Sequence, residues 1–574
     1  MIRAFATTTL RPTLDLTGLW QMETAGKREA AWVPGCRETM PGYENYRGLS
    51  SYTRQIACGG NVLFTFAGVS HTARVFLDDV PLGAHQGAYT GFSLLARGVT
   101  MGEHTLRVEV DNAFGDGSAL SVPNDYMTYG GITRPCVAET VGNAWLSGLQ
   151  LVPEQGPEGW RLRVRVQGNS AGEAFRGTLR AEINGTAYPL GDMAVPAGGQ
   201  AVIDACLSVA DAREYTPEQP VLTAVRCVLT VAGRDVDDQI ERTGFRVIAL
   251  RGKDILFNGV PIKIKGFNRH EDHALYGCAL PPAAMVQDLQ LIRDLGGNAV
   301  RTCHYPNDPY FLDLCDEMGI LVWEEAHARG LNQERMLHPL FLPQSRQCID
   351  EMIARDISHP CIFIWGLLNE CASDSDRCRP IYEELMARIR RLDASRPVTY
   401  ATCRPGSEVS GEKKDPAPGF TDGDQCLPLC DVISFNSYPG WYHEADCGEY
   451  LARVRDWAQE HGGADKPYIV SEIGAGAIYG FRSRAHEKWS EERQAELLQA
   501  QLSAVLNDPD TCGVFIWQFA DCRVSEEWFA GRPRTRNNKG VVDEYRRPKL
   551  AYDTVKALFT RKEGDALRQP DAAT

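Results

Sequence analysis

From about residue 250 onward the chain repeats one beat, a short apolar run followed by an amphipathic segment, and this rhythm leaves few folds open. The runs span 262–269, 298–304, 320–326, 362–369, 397–403, 431–437, 467–473 and 513–520. They are apolar on both sides rather than alternating, as expected of parallel strands covered on both faces. Between them lie segments such as 281–295, whose apolar residues recur at helical spacing. Eight strand–helix units make a (β/α)8 TIM barrel, placed here over 251–574. Two of the runs finish on carboxylates. Residues 362–370 read Ile-Phe-Ile-Trp-Gly-Leu-Leu-Asn-Glu, and 467–474 read Pro-Tyr-Ile-Val-Ser-Glu-Ile-Gly. By the count these are strands four and seven, so Glu370 and Glu472 should face each other at the C-terminal mouth, where such barrels carry their chemistry. Two carboxylates in one cleft are the machinery of glycoside hydrolysis. Either Glu alone is equally well explained as half of a buried ion pair.

Upstream the pattern has period two. Residues 1–155 contain Val-Leu-Phe-Thr-Phe-Ala (62–67) and His-Thr-Leu-Arg-Val-Glu-Val (104–110), broken by Gly, Asp and Pro. This predicts an antiparallel β-sandwich of the jelly-roll kind. Residues 156–250 continue with Trp-Arg-Leu-Arg-Val-Arg-Val (160–166), and their length suits a seven-stranded immunoglobulin-like sandwich. Residues 404–427 read as a polar loop at the catalytic face.

A length of 574 residues implies several cores. The net charge of −15 offers no surplus to neutralise phosphates, so no nucleic-acid partner is expected. No run approaches the ~18 apolar residues of a membrane span, and the first residues lack the apolar stretch of a signal peptide. The 18 cysteines form no Cys-x-x-Cys pair and many sit in apolar runs, as buried thiols of a cytoplasmic protein would. No metal or cofactor is expected.

At this point the residues resemble glycoside hydrolase family 2. The resemblance rests on the order of the three modules, on Asn369-Glu370 and Glu472, and on three further segments. These are Gly-Phe-Asn-Arg-His-Glu-Asp (266–272), Asn-Ala-Val-Arg-Thr-Cys-His-Tyr-Pro (298–306) and Phe-Ile-Trp-Gln-Phe-Ala-Asp (515–521). Within that family the chain is most similar to β-glucuronidases. Asn537-Asn538-Lys539-Gly540 matches their Asn-x-Lys-Gly motif, which implies that Asn537 and Lys539 hold a sugar carboxylate. The segment 124–134 resembles the one that sends an Asp, here Asp125, into the site. Asn436 and Tyr438-Pro-Gly-Trp-Tyr442 resemble the segment after strand six, and the resemblance makes Tyr442 the hydrogen-bond donor to Glu472. Two positions depart from the pattern. Pro533 stands where an Arg is expected, with Arg532, Arg534 and Arg536 around it; Arg534 is counted among the site residues, and which of the three meets the carboxylate stays open. Arg329 stands at the strand-three end where glucuronidases are apolar.

The chemistry assigns Glu370 as acid/base and Glu472 as nucleophile, with Asn369 on the sugar 2-hydroxyl. Trp517 and His304, at strand ends, should line the pocket, although a core Trp and a structural His are the plainer readings. His270, Glu271 and Asp272 should brace it. Arg329 could choose between the 4-hydroxyl epimers, glucuronide and galacturonide, or simply pair with Glu324 or Glu325. The expectation is a retaining exo-β-hexuronidase acting on a small-molecule uronic acid conjugate or an oligosaccharide end, in a homo-oligomer. The rivals are a family-2 enzyme for a neutral sugar, such as a β-galactosidase, and a non-catalytic carbohydrate-binding protein.

Overall fold

The computed structural model describes residues 3–411, 417–526 and 531–561. Part of the expected loop 404–427, residues 412–416, lies outside that set. The first module is built on two long strands, Leu49–Phe66 and Phe92–Asp111, which pair antiparallel from Leu49↔Asp111 to Phe66↔Phe92. Their alternate residues bury Phe64, Phe66, Leu106 and Val108 with Trp20 in a single core, which fixes the register because a one-residue slip would turn that face to water. The neighbouring strand Cys136–Val141 belongs to the same sheet, whereas Ala144–Gly156 pairs with Gly159–Ser170. The chain therefore changes sheets at residues 142–143, ahead of the expected 155.

The second module packs a three-stranded sheet, Ala144–Gly156, Gly159–Ser170 and Gln200–Ser208, against a four-stranded one, Phe175–Ile183, Thr186–Val195, Thr223–Val231 and Arg234–Thr243. Leu146, Leu162, Val164, Val225 and Phe245 fill the space between them. The N-terminal residues lace this module to the barrel: Thr7 O accepts from Ile240 N at 2.7 Å, and Arg3 pairs with both Glu241 and Asp313.

The third module is the parallel barrel. Its strands are Ile264–Arg269, Ala299–Thr302, Leu321–Glu325, Ile362–Asn369, Val398–Ala401, Ile433–Asn436, Tyr468–Ile473 and Gly513–Ile516. They hydrogen-bond in sequence order with the eighth beside the first, and a bridge between Thr402 and Phe435 joins the fifth to the sixth. Trp323, Ile364, Phe515 and Ile469 pack inside, while helices such as Pro282–Asp294 and Arg379–Leu392 cover the outside. No helix among the described residues is long and apolar enough to cross a membrane. The first module reaches the barrel mouth through residues 124–134. Arg134 makes a buried pair with Glu271 at 2.7 Å, and the Tyr129 hydroxyl donates to Asp272 at 2.6 Å. His270 touches the Tyr305 hydroxyl at 3.2 Å. The strand-one residues thus brace the seam that delivers Asp125 to the pocket.

Candidate active site

Glu370 directly follows strand four and Glu472 lies within strand seven, and both line one pocket of about 620 Å3. Glu370 sits at φ +51°, in the left-handed region that costs a non-glycine residue on the order of 1 kcal/mol. Its amide is held by Ala401 O at 2.9 Å, and this turn points the carboxylate across the mouth. One oxygen accepts from Asn436 Nδ2 at 2.9 Å, the other from Arg329 Nη2 at 3.1 Å. Glu472 is nearly inaccessible. Burial, and after it the charge of Glu370, push its carboxyl up to about 7 against the pull of Arg301 and Tyr438. Desolvation thus offsets the donors that the sequence reading relied on to keep this group ionised.

The organising residue is one that sequence reasoning passed over. Arg301, fully buried at the end of strand two, donates to both oxygens of Glu325, to Glu472 Oε1 at 3.0 Å, to Asn369 Oδ1 at 2.8 Å and to Asn268 Oδ1 at 3.0 Å. A lone cation inside the run Asn-Ala-Val-Arg-Thr (298–302) was the available signal, since such a charge is tolerated only if fully paired. His304 takes Glu325 on Nδ1 at 2.8 Å and stacks on Trp517 with centroids 5.1 Å apart. Burial and then Arg301 hold its ring well below the usual histidine range, so it is neutral. Its Nε2 and the Asn369 Nδ2 are both buried and have no hydrogen-bond partner among the described residues. Trp517 follows the last residue of strand eight and lines the pocket.

Two expectations are corrected here. Tyr442 does not reach Glu472; the Tyr438 hydroxyl donates to Glu472 Oε2 instead. The reason is register: Asn436 pairs with Glu472 and Ser437 N donates to Glu472 O at 2.8 Å, so the residue that follows faces the carboxylate. Tyr442, beyond the tight turn at Gly440, accepts from Lys539 Nζ at 2.8 Å. Arg534 does not reach the pocket either, because it pairs with Glu544 on the far side of its loop. Arg532 lines the pocket and grips both oxygens of Asp125.

Asp125, Arg532, Asn537 and Lys539 form one end of the site. Asn537 Nδ2 donates to Asp125 Oδ2 at 3.0 Å. Lys539 is 2 % exposed and its ammonium lies 5.1–5.9 Å from the ring centres of Tyr438, Trp441 and Tyr442. The loop carrying these residues is pinned from beneath. Gly540 N donates to Asp521 Oδ1 at 2.8 Å, and the buried Lys549 ammonium reaches Asp521 at 2.7 Å, Ala477 O at 2.7 Å and Asn538 O at 3.1 Å. Gly540 admits no side chain, since a Cβ there would fall 2.3 Å from Asp521 N. Arg329 pairs with neither Glu324 nor Glu325 but with Glu370 and with Asn124 Oδ1, the latter at 2.8 Å.

Two buried groups, His270–Cys303–His304 and Asp316–His359–Cys361, bring ligating atoms within 4.8 Å of one another. In the second, His359 and Asp316 are already paired at 2.6 Å.

Residues 248–562 match the family model described as glycosyl hydrolases family 2, TIM barrel domain. A β-glucuronidase of Sus scrofa is 29% identical over 454 residues, covering 74% of this chain and 63% of the relative. The chain thus spans under two thirds of the pig enzyme's length. A β-glucuronidase of Streptococcus agalactiae is 26% identical over 527 residues, covering 85% and 83%. Among solved structures, a GH2 β-galacturonidase from Eisenbergiella tayi bound to galacturonate superposes with a TM-score of 0.92 at 45% identity, covering 97% of this chain and 99% of that one. A Bifidobacterium dentium β-glucuronidase shares the fold, with a TM-score of 0.82 at 24% identity over 97% of this chain and 98% of that one.

Proposed function

The chain belongs to glycosyl hydrolase family 2 and is a glycoside hydrolase, and from that premise we propose that it is a retaining exo-β-hexuronidase whose preferred substrates are β-D-galacturonides, with β-D-glucuronides turned over more slowly. The observation that carries this reading is the cationic end of the pocket. Lys539 and Arg532 line the pocket together with Glu370 and Glu472, Asn537 donates to Asp125 in the same cluster, and a neutral sugar has no use for that cluster.

In the first step Glu472 attacks the anomeric carbon while the bond from that carbon to the leaving oxygen breaks. Glu370 gives its proton to that oxygen, so the departing group leaves as an alcohol or phenol. A glycosyl ester on Glu472 remains. In the second step Glu370, now a carboxylate, takes a proton from water, whose oxygen attacks the same carbon and frees Glu472. Arg301 and Asn436 both donate to Asn369 Oδ1, which fixes the amide and leaves its Nδ2 suited to a bond to the sugar 2-hydroxyl that tightens as charge develops. Trp517 offers a flat wall to the sugar ring. Arg329 supports the epimer choice, because a guanidinium at that strand end can meet an axial 4-hydroxyl. The similarity to the Eisenbergiella tayi β-galacturonidase supports it independently.

The test is a side-by-side assay on para-nitrophenyl β-galacturonide, β-glucuronide and β-galactoside. The reading expects kcat/KM to fall in that order. Turnover of the galactoside above both uronides overturns it, as does no turnover of any of the three.

A further inference from the structure

The pocket has two chemically different ends. One is the crowded polar end lined by Asp125, Arg532 and Lys539, with Asn537 bonded to Asp125 behind it. The other lies beyond Glu370 and is lined by Cys403, His443 and Tyr450. Cys403 comes two residues after Ala401, whose carbonyl accepts the Glu370 amide at 2.9 Å, so it occupies the strand end beside Glu370. His443 is held in a turn closed by Gly440 N on His443 O at 2.8 Å. Tyr450 projects from the helix Cys447–Ala458. The two rings stand 5.6 Å apart and 30° from parallel, a tilted pair. Cys403 and Tyr450 line the same pocket, and burial, then Cys403, push the Tyr450 phenol up.

We propose that Cys403, His443 and Tyr450 form the leaving-group subsite and that it takes a planar, uncharged aromatic or heteroaromatic aglycone. This rests on the hexuronidase reading above. In that reading the sugar carboxylate is drawn to the cationic end, and Glu370 delivers its proton to the oxygen that joins sugar and aglycone. The aglycone therefore extends toward the side of Glu370 away from Lys539. A flat ring laid against Tyr450 and His443 buries apolar area on both partners and meets aromatic faces at favourable spacing. A saccharide in the same place would need a partner for each hydroxyl. Of Cys403, His443 and Tyr450, the partners on offer are the Tyr450 hydroxyl, the His443 ring and a weakly bonding thiol. Unmet hydroxyls count against binding, since each loses its water without replacement.

The experiment compares the wild type with Tyr450→Ala, His443→Ala and the double variant on 2-naphthyl β-galacturonide, methyl β-galacturonide and a β-galacturonosyl-glucose disaccharide. Each variant is referred to the wild type on the same substrate, so differences in leaving-group acidity cancel. The double variant should lose about tenfold in kcat/KM on the naphthyl substrate and less than twofold on the methyl one, and Tyr450→Phe should retain wild-type values on both. In the wild type, free 2-naphthol should inhibit competitively at concentrations where glucose does not. Equal losses on all three substrates, a larger loss on the disaccharide than on the naphthyl substrate, or inhibition by glucose but not by naphthol each overturns the subsite. Loss of all uronide turnover in the wild type instead overturns the parent reading, which keeps the two failures distinct.

Discussion

Arg329 donates Nη2 to Glu370 Oε2 at 3.1 Å and Nη1 to Asn124 Oδ1 at 2.8 Å, so one guanidinium joins the end of strand four to a loop of the first module. With side chains 15% and 17% exposed, the Arg329–Glu370 pair faces the pocket rather than the core. Any substitution of Arg329 therefore disturbs Glu370 as well as whatever substrate group Arg329 meets.

It follows that Arg329→Ala lowers kcat/KM on both uronides through Glu370, and lowers galacturonide turnover further through the lost contact. The galacturonide-to-glucuronide ratio of kcat/KM should fall about tenfold, on the order of 1.4 kcal/mol of discrimination. An unchanged ratio would make Arg329 a scaffold for Glu370 alone.

Glu472→Gln should abolish turnover and stabilise the fold. Burial and Glu370 raise this carboxyl from 4.5 to about 7, which corresponds to about 3 kcal/mol between its protonation states. The native state favours the proton, so the group's stability contribution is whole below pH 4.5 and is lost as pH rises through 7. The Gln variant carries no charge to bury, so its Tm advantage should widen from pH 5 to pH 9 in thermal melts. A constant Tm difference contradicts the linkage. In the wild type, kcat/KM should fall on the acid side with an apparent pKa near 7, as the nucleophile takes up a proton.

Glu370→Ala should be severe for poor leaving groups and mild for para-nitrophenyl substrates, which need little protonation. Azide should restore turnover and give a β-glycosyl azide, read by NMR; an α product contradicts retention. Because Glu370 is the like charge that helps raise Glu472, the acid limb of kcat/KM should also move to lower pH in this variant.

Lys539→Ala should cost about 2–5 kcal/mol in kcat/KM for uronides and much less for the matching neutral glycoside. Lys539 is 2 % exposed and its ammonium lies among three aromatic rings, so no water-filled route replaces it easily. Equal losses on charged and neutral substrates would remove the main support for a uronide substrate.

Lys549→Met should act on the same end without touching substrate. It takes the cation from Asp521, whose carboxyl burial already pushes up to about 7, so a charge held there at alkaline pH is unpaired in the interior and costs about 3–5 kcal/mol in stability. It also frees Asn538 O and Ala477 O, so uronide KM should rise. Adding Asp521→Asn removes the buried charge and should recover much of the Tm while KM stays high. Recovery of both together would mean that the pair supports folding only.

The sequence by itself determined the elements and the two strand-end carboxylates. Short continuous apolar runs that alternate with amphipathic helices suit strands covered on both faces, and a barrel of parallel strands has one chemical end, so the strand-end positions of Glu370 and Glu472 were legible from pattern and count. The resemblance supplied Asp125, Asn537 and Lys539, which the structure brings into one cluster. What the tertiary structure decided was which neighbour meets which. Tyr438 rather than Tyr442 faces Glu472 because strand register sets the direction of each side chain, and a pattern of residue types is silent on register between the sixth and seventh strands. Arg532 rather than Arg534 meets Asp125 because the two are 407 residues apart in the chain and only the docking of the first module on the barrel mouth brings them together. Arg301 was visible as a charge in an apolar run, but its five acceptors come from four strands, and only the closed barrel brings those strands around one guanidinium.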